Sequence, residues 1–240
     1  MNIVISGYGK MGKEVETLAA KTKHNIVCIV DNRSEWSNSG DQIGTADVVI
    51  DFSLPEAVEE NIIDCFDLGV PIVTGTTGWY DHLEEITKTC IAGNHALFYT
   101  SNFSIGMNIF FEINKHLATL MNSHSEYEAG ITETHHVNKQ DAPSGTAITL
   151  AKDMIEKLDR KKQWTGQHTH DKNNIFIKSI RESNICGTHI VSYLSEIDSI
   201  EIKHEAHNRK GFALGALMAA EWIIGKQGVF TMKDLLQLNI

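Results

Sequence analysis

This sequence has few prolines, no paired cysteines and no long apolar segment. It also has fewer positive than negative side chains. Only 3 of 240 residues are proline and 42% are hydrophobic, so the composition favours one or two packed cores over disordered segments. The 4 cysteines occur singly in largely apolar segments, which predicts reduced core side chains and no disulfide framework. A net charge of -10 argues against nucleic acid as a partner.

The longest apolar stretch, residues 212–224, contains Glu221. It is too short to span a bilayer, so we expect a core helix there and no membrane partner. The sequence begins directly with a strand pattern and shows no signal peptide. Together with the unpaired cysteines, these features predict a cytoplasmic protein.

The amino terminus predicts a dinucleotide-binding segment. Residues 2–6 have the pattern of a buried strand and are followed by a glycine-rich loop and an amphipathic helix. The loop reads Gly7-Tyr8-Gly9-Lys10-Met11-Gly12. Its glycines allow a tight turn and close approach of the backbone to a pyrophosphate. A second strand pattern, residues 25–30, ends in Asp31, which can hydrogen-bond a ribose hydroxyl.

The residues around Asp31 leave the choice of nucleotide open. Asp31 favours the ribose diol of NADH, whereas Arg33 or Lys10 could neutralise the 2′-phosphate of NADPH. We therefore expect both NADH and NADPH to be accepted. The alternative is that Arg33 is a solvated surface charge.

Alternating strand and helix patterns continue to about residue 103 and predict one parallel sheet. Small polar residues follow its strands and should line its carboxyl edge, where open α/β sheets bind ligands. These residues are Asp51-Phe52-Ser53, Gly75-Thr76-Thr77-Gly78 and Thr100-Ser101-Asn102-Phe103. The turn at Gly75-Thr76-Thr77 could let a nicotinamide or ribose approach the backbone, and the alternative is a simple strand-to-helix turn.

After Asn102 the organisation changes to a long helix and several alternating strands, the first of them predicted at residues 126–133. This suggests a mixed or antiparallel sheet with one face free for oligomerisation. We predict a Rossmann-type dinucleotide-binding domain from residues 1–103 and 210–240. An α+β substrate-binding and oligomerisation domain, residues 104–209, is inserted in it. Hinges are expected near Asn102-Phe103 and Arg209-Gly211.

The segment from Glu133 to Ala147 has the strongest chemical content. It combines His135, His136 and Lys139 with a helix start at Ser144-Gly145-Thr146. Unpaired N–H groups and the helix dipole at such a start favour a carboxylate or phosphate, and Lys139 adds a full charge. A histidine can exchange protons near neutral pH. The alternative is a capped surface helix after a polar loop.

A metal site is the rival use of paired histidines. Adjacent residues in an extended segment point to opposite faces, so His135 and His136 would not readily ligate one ion. We therefore expect no metal.

The segment resembles the signature of the 4-hydroxy-tetrahydrodipicolinate reductase family, also called dihydrodipicolinate reductases. The matching residues are Glu133-x-His135-His136-x-x-Lys139-x-Asp141-Ala-Pro-Ser144-Gly145-Thr146-Ala147. The resemblance extends over nearly the whole chain, from the glycine loop to His204-x-Ala206-x-x-Arg209-x-x-Phe212-Ala213-x-Gly215-Ala216.

The resemblance implies an oxidoreductase of the diaminopimelate route to lysine, in which Gly75 to Thr77 and Thr100 to Phe103 match the cofactor-contacting loops. It also leads us to expect a homotetramer joined through the sheets of the second domains. Such an enzyme uses NADPH or NADH to reduce a cyclic dicarboxylate, 4-hydroxy-tetrahydrodipicolinate, to tetrahydrodipicolinate with loss of water. By resemblance, His135 takes the acid/base position and Lys139 that of the proton donor. His136 contacts substrate, and Ser144, Gly145 and Thr146 hold a substrate carboxylate.

Two other classes of function are compatible with the glycine loop and Asp31. One is a different nicotinamide oxidoreductase, such as an amino-acid or hydroxy-acid dehydrogenase, which would not need the His-His-x-x-Lys segment. The other is a non-catalytic dinucleotide sensor. A sensor should bind the cofactor without turnover.

Overall fold

A computed structural model describes residues 1–169, 171–183, 185–208 and 210–238. The chain divides into two compact units. Unit 1 contains Met1–Ile105 and the carboxyl-terminal residues from Lys210, and unit 2 contains the intervening segment from Gly106. Of the expected hinges and domain ends, Arg209 and residues 239–240 lie outside the described residues.

Unit 1 is built on a parallel sheet of six described strands, numbered along the chain. Across the sheet they are β2 (Asn25–Val30), β1 (Asn2–Ser6), β3 (Val48–Asp51), β4 (Ile72–Thr74), β5 (Ala96–Tyr99) and β11 (Gly228–Phe230). The central strands are buried on both faces, which explains their continuous apolar sequences.

Helices contribute to two separate hydrophobic clusters in unit 1. The helices of this unit are α1 (Lys10–Ala19), α2 (Arg33–Asn38), α3 (Gly40–Ile43), α4 (Pro55–Asp67), α5 (Leu83–Ala92), α8 (Lys210–Ile223) and α9 (Met232–Leu236), with a 3₁₀ turn at Tyr80–His82. On β1, Ile3 and Ile5 join the cluster that contains α1 and α8, whereas Val4 joins the cluster that contains α4. Side chains of a strand alternate between faces, so these two clusters lie on opposite sides of the sheet.

Unit 2 contains a mixed sheet and two helices, α6 (Ile105–Met121, whose first residue belongs to unit 1) and α7 (Gly145–Lys157). Its described strands, across the sheet, are β10 (Ser199–Ala206), β9 (Gly187–Leu194), β6 (Glu128–His135), β8 (Asn174–Arg181) and β7 (Gln163–Thr165). Strand β6 pairs parallel with β8 and antiparallel with β9. Its burial alternates strictly, because only one face packs into the core formed with both helices.

The predicted fold class is confirmed: a Rossmann-like parallel sheet is combined with a second, mixed sheet. The strand predicted at residues 126–133 lies instead at Glu128–His135, so His135 is inside the strand. The expectation that all cysteines are core residues was wrong for Cys186, which is exposed. Among the described residues, no helix is long and apolar enough to cross a membrane.

Candidate functional site

The carboxyl edge of the unit 1 sheet is organised around Asp51, whose side chain is fully buried. Ser6 Oγ donates to Asp51 Oδ1 at 2.7 Å, and Thr74 Oγ1 and Thr76 Oγ1 donate to Oδ2 at 2.8 and 2.9 Å. Asn61 Nδ2 adds a bond of 3.2 Å to Oδ1. A buried carboxylate requires such donors. Asp51 therefore ties together the ends of β1, β3 and β4.

The glycine loop follows β1 directly and leads into α1. Gly7 has φ of +83°, and a Cβ there would lie 2.3 Å from Phe52 O. A Cβ on Gly12 would lie 2.3 Å from Gly7 O, whereas one on Gly9 would meet no atom within 4 Å. Gly7 and Gly12 are therefore required by contacts within the protein itself. The open space at Gly9 fits close approach of a ligand phosphate.

Asp31 lies beside this loop, as its predicted role requires. Its Oδ1 accepts a hydrogen bond from Tyr8 N at 2.5 Å, and its own N–H donates to Glu35 Oε2 at 2.7 Å. A cavity of about 570 Å³ is lined by residues of the loop and of the β2 end, among them Gly7, Tyr8, Gly9, Asp31, Arg33 and Trp36. Lys10 and Met11 belong to the first turn of α1. Its free N–H groups can bind a pyrophosphate.

Arg33 is engaged by two carboxylates. The guanidinium Nη1 of Arg33 binds Asp64 Oδ2, and its Nε lies 3.0 Å from Glu60 Oε1. The Asp64 hydrogen bond raises the pKa of Arg33 above its usual value despite opposing desolvation. Arg33 would have to leave these partners to bind a 2′-phosphate.

The two remaining predicted cofactor loops follow β4 and β5. Gly75 N donates to Asp51 O at 2.9 Å, and a Cβ on Gly75 would lie 2.3 Å from the Phe52 ring. Thr77 and Ser101 are exposed. Thr100 Oγ1 donates to Asn102 O at 3.1 Å, which shapes the second loop. Phe103 is a core side chain that packs on Phe52 and Phe98.

In unit 2, the predicted acid/base and anion-holding residues surround Glu133, which is fully buried on β6. Glu133 Oε1 accepts hydrogen bonds from Ser144 N at 3.0 Å and Ser179 Oγ at 2.7 Å. Glu133 Oε2 lies 3.3 Å from His135 Nε2 and 3.8 Å from His189 Nε2. The His135 contact has an ion-pair distance but not the alignment of a hydrogen bond.

The strand register explains this cluster. Glu133 stands opposite His189 on β9 and opposite Ser179 on β8, and His135 stands opposite Arg181. Residues two apart on a strand share a face, so Glu133 and His135 both face the buried side. His135 is 8% exposed, and a Cβ on Gly187 would lie 3.0 Å from its Cε1.

Ser144 is the N-cap of α7, as the sequence predicts. Its Oγ accepts a hydrogen bond from Ala147 N at 3.2 Å and lies 3.4 Å from His189 Nε2. Gly145 and Thr146 form the first turn of the helix, where N–H groups have no intrahelical partner. A carboxylate can bind at this position.

Lys139 lies in the loop between β6 and α7. Its Nζ is 2.8 Å from Asp141 Oδ1 and 2.9 Å from Oδ2, and this bond lowers the pKa of Asp141. Arg181 donates to the carbonyls of Lys139 and Asp141 at 3.2 and 2.5 Å. His136 is half-buried, and its Nδ1 has no hydrogen-bond partner within the described ranges.

Sequence analysis did not identify Glu133, Ser179, Arg181 or His189 as site residues. The sequence holds one indication of these residues. On a strand every second residue points to the same face, and on β8 the apolar face of Ile175 and Ile177 continues with the polar Ser179 and Arg181. The pairing of the three strands was needed to bring these residues together.

Glu133, His135 and His189 also present ligand-type atoms within 4.8 Å of one another. Spacing along the chain gave no sign of this grouping, because His189 comes from another strand. His136, the residue considered with His135 as a metal pair, is not in the group.

The buried cluster predicts a specific acid sensitivity. Burial and the neighbouring His135 lower the pKa of His189 from 6.5 to about 4, so the folded state holds His189 neutral. Stability is therefore lost as pH falls from about 6.5 towards 4. Burial alone would raise the pKa of Glu133, but the neighbouring His135 and hydrogen bonds from Ser144 and Ser179 lower it to about 2. The contribution of Glu133 to the stability of the fold is present above pH 4.5 and is lost as pH falls towards 2.

We expect wild type to lose about 2 kcal/mol of unfolding free energy through His189 between pH 7 and pH 5. Urea unfolding of wild type and His189→Gln at both pH values measures this contribution, because the other histidines are shared. The variant should show a smaller loss. Equal losses in the two proteins would contradict the assignment to His189.

The fold and the geometry of unit 1 define a class of protein, the dinucleotide-binding oxidoreductases with a second α+β unit. Two family models match the chain: "Dihydrodipicolinate reductase, N-terminus" over residues 1–103 and "Dihydrodipicolinate reductase, C-terminus" over residues 106–236. The chain therefore belongs to the dihydrodipicolinate reductase family, as the signature segment predicted, and it is an oxidoreductase.

Individual relatives agree with this membership. A 4-hydroxy-tetrahydrodipicolinate reductase of Christiangramia forsetii is 45% identical over 236 residues, covering 98% of each chain. A 4-hydroxy-tetrahydrodipicolinate reductase of Alkaliphilus oremlandii is 36% identical, and the match covers the full length of both proteins. A dipicolinate-bound dihydrodipicolinate reductase from Paenisporosarcina sp. TG-14 has the same fold, with a TM-score of 0.77, 22% identity and coverage of 96% and 97%.

Proposed function

We propose that the protein reduces 4-hydroxy-tetrahydrodipicolinate to tetrahydrodipicolinate with loss of water, at the expense of NADH or NADPH, in the diaminopimelate route to lysine. The observation that carries the substrate assignment is the helix start at Ser144 beside Lys139 and His135, because a dicarboxylate needs anion holders next to a proton donor.

We assign the binding of the cofactor to the glycine loop, Asp31 and the loops at 75–77 and 100–103. A bound nicotinamide supplies the hydride. The first turn of α1 would hold the pyrophosphate, Asp31 would bind the ribose diol, and Asp51 keeps the adjoining loop in place.

We assign the chemistry on the substrate to unit 2. Gly145 and Thr146 N–H groups bind one carboxylate, with Ser144 capping the helix and His136 contacting the substrate. Hydride addition to a carbon conjugated with an imine places negative charge on the ring. Lys139 stabilises this charge as a cation and donates the proton, and His135 serves as acid/base partner.

An absorbance assay tests the proposal. NADH or NADPH at 340 nm should be consumed only when freshly made 4-hydroxy-tetrahydrodipicolinate is present. Cofactor binding without turnover would indicate a sensor. Turnover with an amino acid or hydroxy acid instead would indicate another dehydrogenase.

We propose that both cofactors are accepted and that NADH is used better. Asp31 supports the diol, and a 2′-phosphate must compete with Asp64 and Glu60 for Arg33. Surface ion pairs are weak, so this competition reduces NADPH use without abolishing it.

Replacing Arg33 and Lys10 together by alanine should raise the KM for NADPH and leave that for NADH nearly unchanged. Asp64→Asn should have the opposite effect on NADPH, because it releases one carboxylate from Arg33. Initial rates with each cofactor measure both effects. An equal change for both cofactors would mean that these residues support the loop and do not bind the phosphate.

We propose that the protein is a homotetramer joined through the sheets of its unit 2 copies. One face of this sheet is not covered by the unit 2 helices, and it carries Leu194, which is 49% exposed, and the half-buried Ile190. Exposed apolar side chains in such a face favour association.

Light scattering over a dilution series should give the tetramer mass at micromolar concentration. Leu194→Glu should lower this mass, whereas Ile91→Glu, an exposed control on α5 of unit 1, should not. A strictly monomeric wild type would refute the proposal.

We also propose a cytoplasmic location. All four cysteines are free thiols, which is the normal state in a reducing compartment.

A further inference from the structure

The most deeply buried charge of unit 2 is Glu133, and the proposed function gives it no role. Its side chain has no exposed surface, yet its lowered pKa keeps it ionised. An ionised buried carboxylate is unfavourable unless donors surround it. Here the donors are parts of the proposed substrate site.

The contacts of Glu133 reach three separate parts of that site. Its Oε1 accepts from Ser144 N and so holds the first turn of α7, where the carboxylate of the substrate is proposed to bind. Its Oε2 lies 3.3 Å from His135 Nε2, the proposed acid/base group. Glu133 Oε1 also lies 3.7 Å from Arg181 Nη2. Arg181 in turn donates hydrogen bonds to the backbone carbonyls of Lys139 and Asp141.

We propose that Glu133 is a positioning residue, which fixes the anion-holding helix start, the His135 ring and, through Arg181, the Lys139 loop in one arrangement. This inference rests on the proposed function for the roles of those three parts. It adds a residue that touches neither substrate nor cofactor.

A carboxylate fits this position because the hydrogen bonds it accepts come from Ser144 N and Ser179 Oγ, and a guanidinium lies 3.7 Å away. The titratable groups around it are His135 on its own strand, Arg181 on β8, His189 on β9 and, electrostatically, Asp141 in the following loop. An amide of the same shape would turn one NH₂ group towards donors. Glu133→Gln therefore leaves the volume unchanged and removes the charge and one acceptor.

Glu133→Gln is expected to lower kcat by about 10²-fold, which is the effect of a misplaced catalytic group. It should also raise the KM for the substrate several-fold and leave the KM for NADH unchanged. Glu133→Asp should recover part of the activity. The control is Glu128→Gln on the same strand, where Glu128 pairs with Lys161 and is 53% exposed. It should keep both kcat and KM.

Double-mutant cycles separate positioning from a general loss of folded protein. If Glu133 acts on His135, adding Glu133→Gln to His135→Ala should lower kcat much less than it does in wild type. If it holds the helix start, adding it to Ser144→Ala should change the substrate KM little. Fully additive effects in both cycles would overturn the proposal. So would a kcat loss that matches a reduced folded fraction, with KM unchanged.

The ¹⁵N signals of the His135 ring test the same contact without turnover. In wild type we expect one defined set of ring ¹⁵N shifts for His135, changed in Glu133→Gln and kept in Glu128→Gln. An unchanged His135 spectrum in Glu133→Gln would overturn the inference even if the enzyme is active. A wild type without turnover but with the expected spectral change would refute the proposed function alone. Activity that is lost on chelation and restored by zinc would identify the cluster as a metal site and overturn the positioning role.

Discussion

Lys139→Ala is expected to lower kcat by about 10²–10⁴-fold, the usual contribution of one positioned proton donor. Lys139 is partly exposed, with 24% of its side chain accessible, and its Nζ lies 2.8 Å from Asp141 Oδ1. The variant removes both the proton donor and the cation that stabilises the developing charge. The dissociation constant for NADH should stay near the wild-type value, since cofactor binding is assigned to loops of unit 1 and Lys139 belongs to unit 2.

The exposed Lys152 on α7 provides the matched control for this experiment. Lys152→Ala removes the same side chain from the same unit and should leave kcat unchanged. His135→Ala should reduce kcat less than Lys139→Ala if Lys139 is the donor, and more if His135 is. The near-complete burial of His135 against Glu133 and Gly187 favours Lys139. Wild-type turnover in both alanine variants would refute the site assignment.

Local patterns explain why the glycine loop, Asp31 and the start of α7 could be predicted from the sequence. A glycine that permits a positive φ and a serine before an amphipathic helix act within a few residues of their position. The acid after the second strand follows the spacing of the dinucleotide-binding fingerprint. Short elements were missed, such as β7 (Gln163–Thr165). A three-residue edge strand has too little periodicity to be distinguished from a loop.

The cluster around Glu133 could not be predicted because it depends on strand order. Glu133 and His189 meet only because β9 pairs antiparallel with β6 in one particular register. A shift of that register by one residue would place His189 on the opposite face. The sequence shows that each strand has a buried face, but not which strands are neighbours. The contact of Arg33 with Asp64 was missed for the same reason, since it joins α2 to α4.

Gly7→Ala and Gly9→Ala are expected to fail in different ways. At Gly7 a side chain would require a left-handed φ of +83° and would place its Cβ 2.3 Å from Phe52 O. Overpacking costs about 1–3 kcal/mol, and an unfavourable φ adds a similar amount of about 1–3 kcal/mol. Gly7→Ala should therefore lower the free energy of unfolding and the Tm even without cofactor.

Gly9→Ala should fold like wild type, because its Cβ would meet no atom within 4 Å. Its methyl group would instead occupy the space where a pyrophosphate approaches the first turn of α1, so the dissociation constant for NADH should rise by at least about tenfold, or about 1.4 kcal/mol. Thermal unfolding with and without NADH, together with calorimetric titration, measures both effects. Gly40→Ala, which also has no atom within 4 Å of its Cβ, is the control and should bind NADH normally. Normal NADH affinity in Gly9→Ala would mean that the phosphates do not contact this part of the loop, and the cofactor site would have to be reassigned.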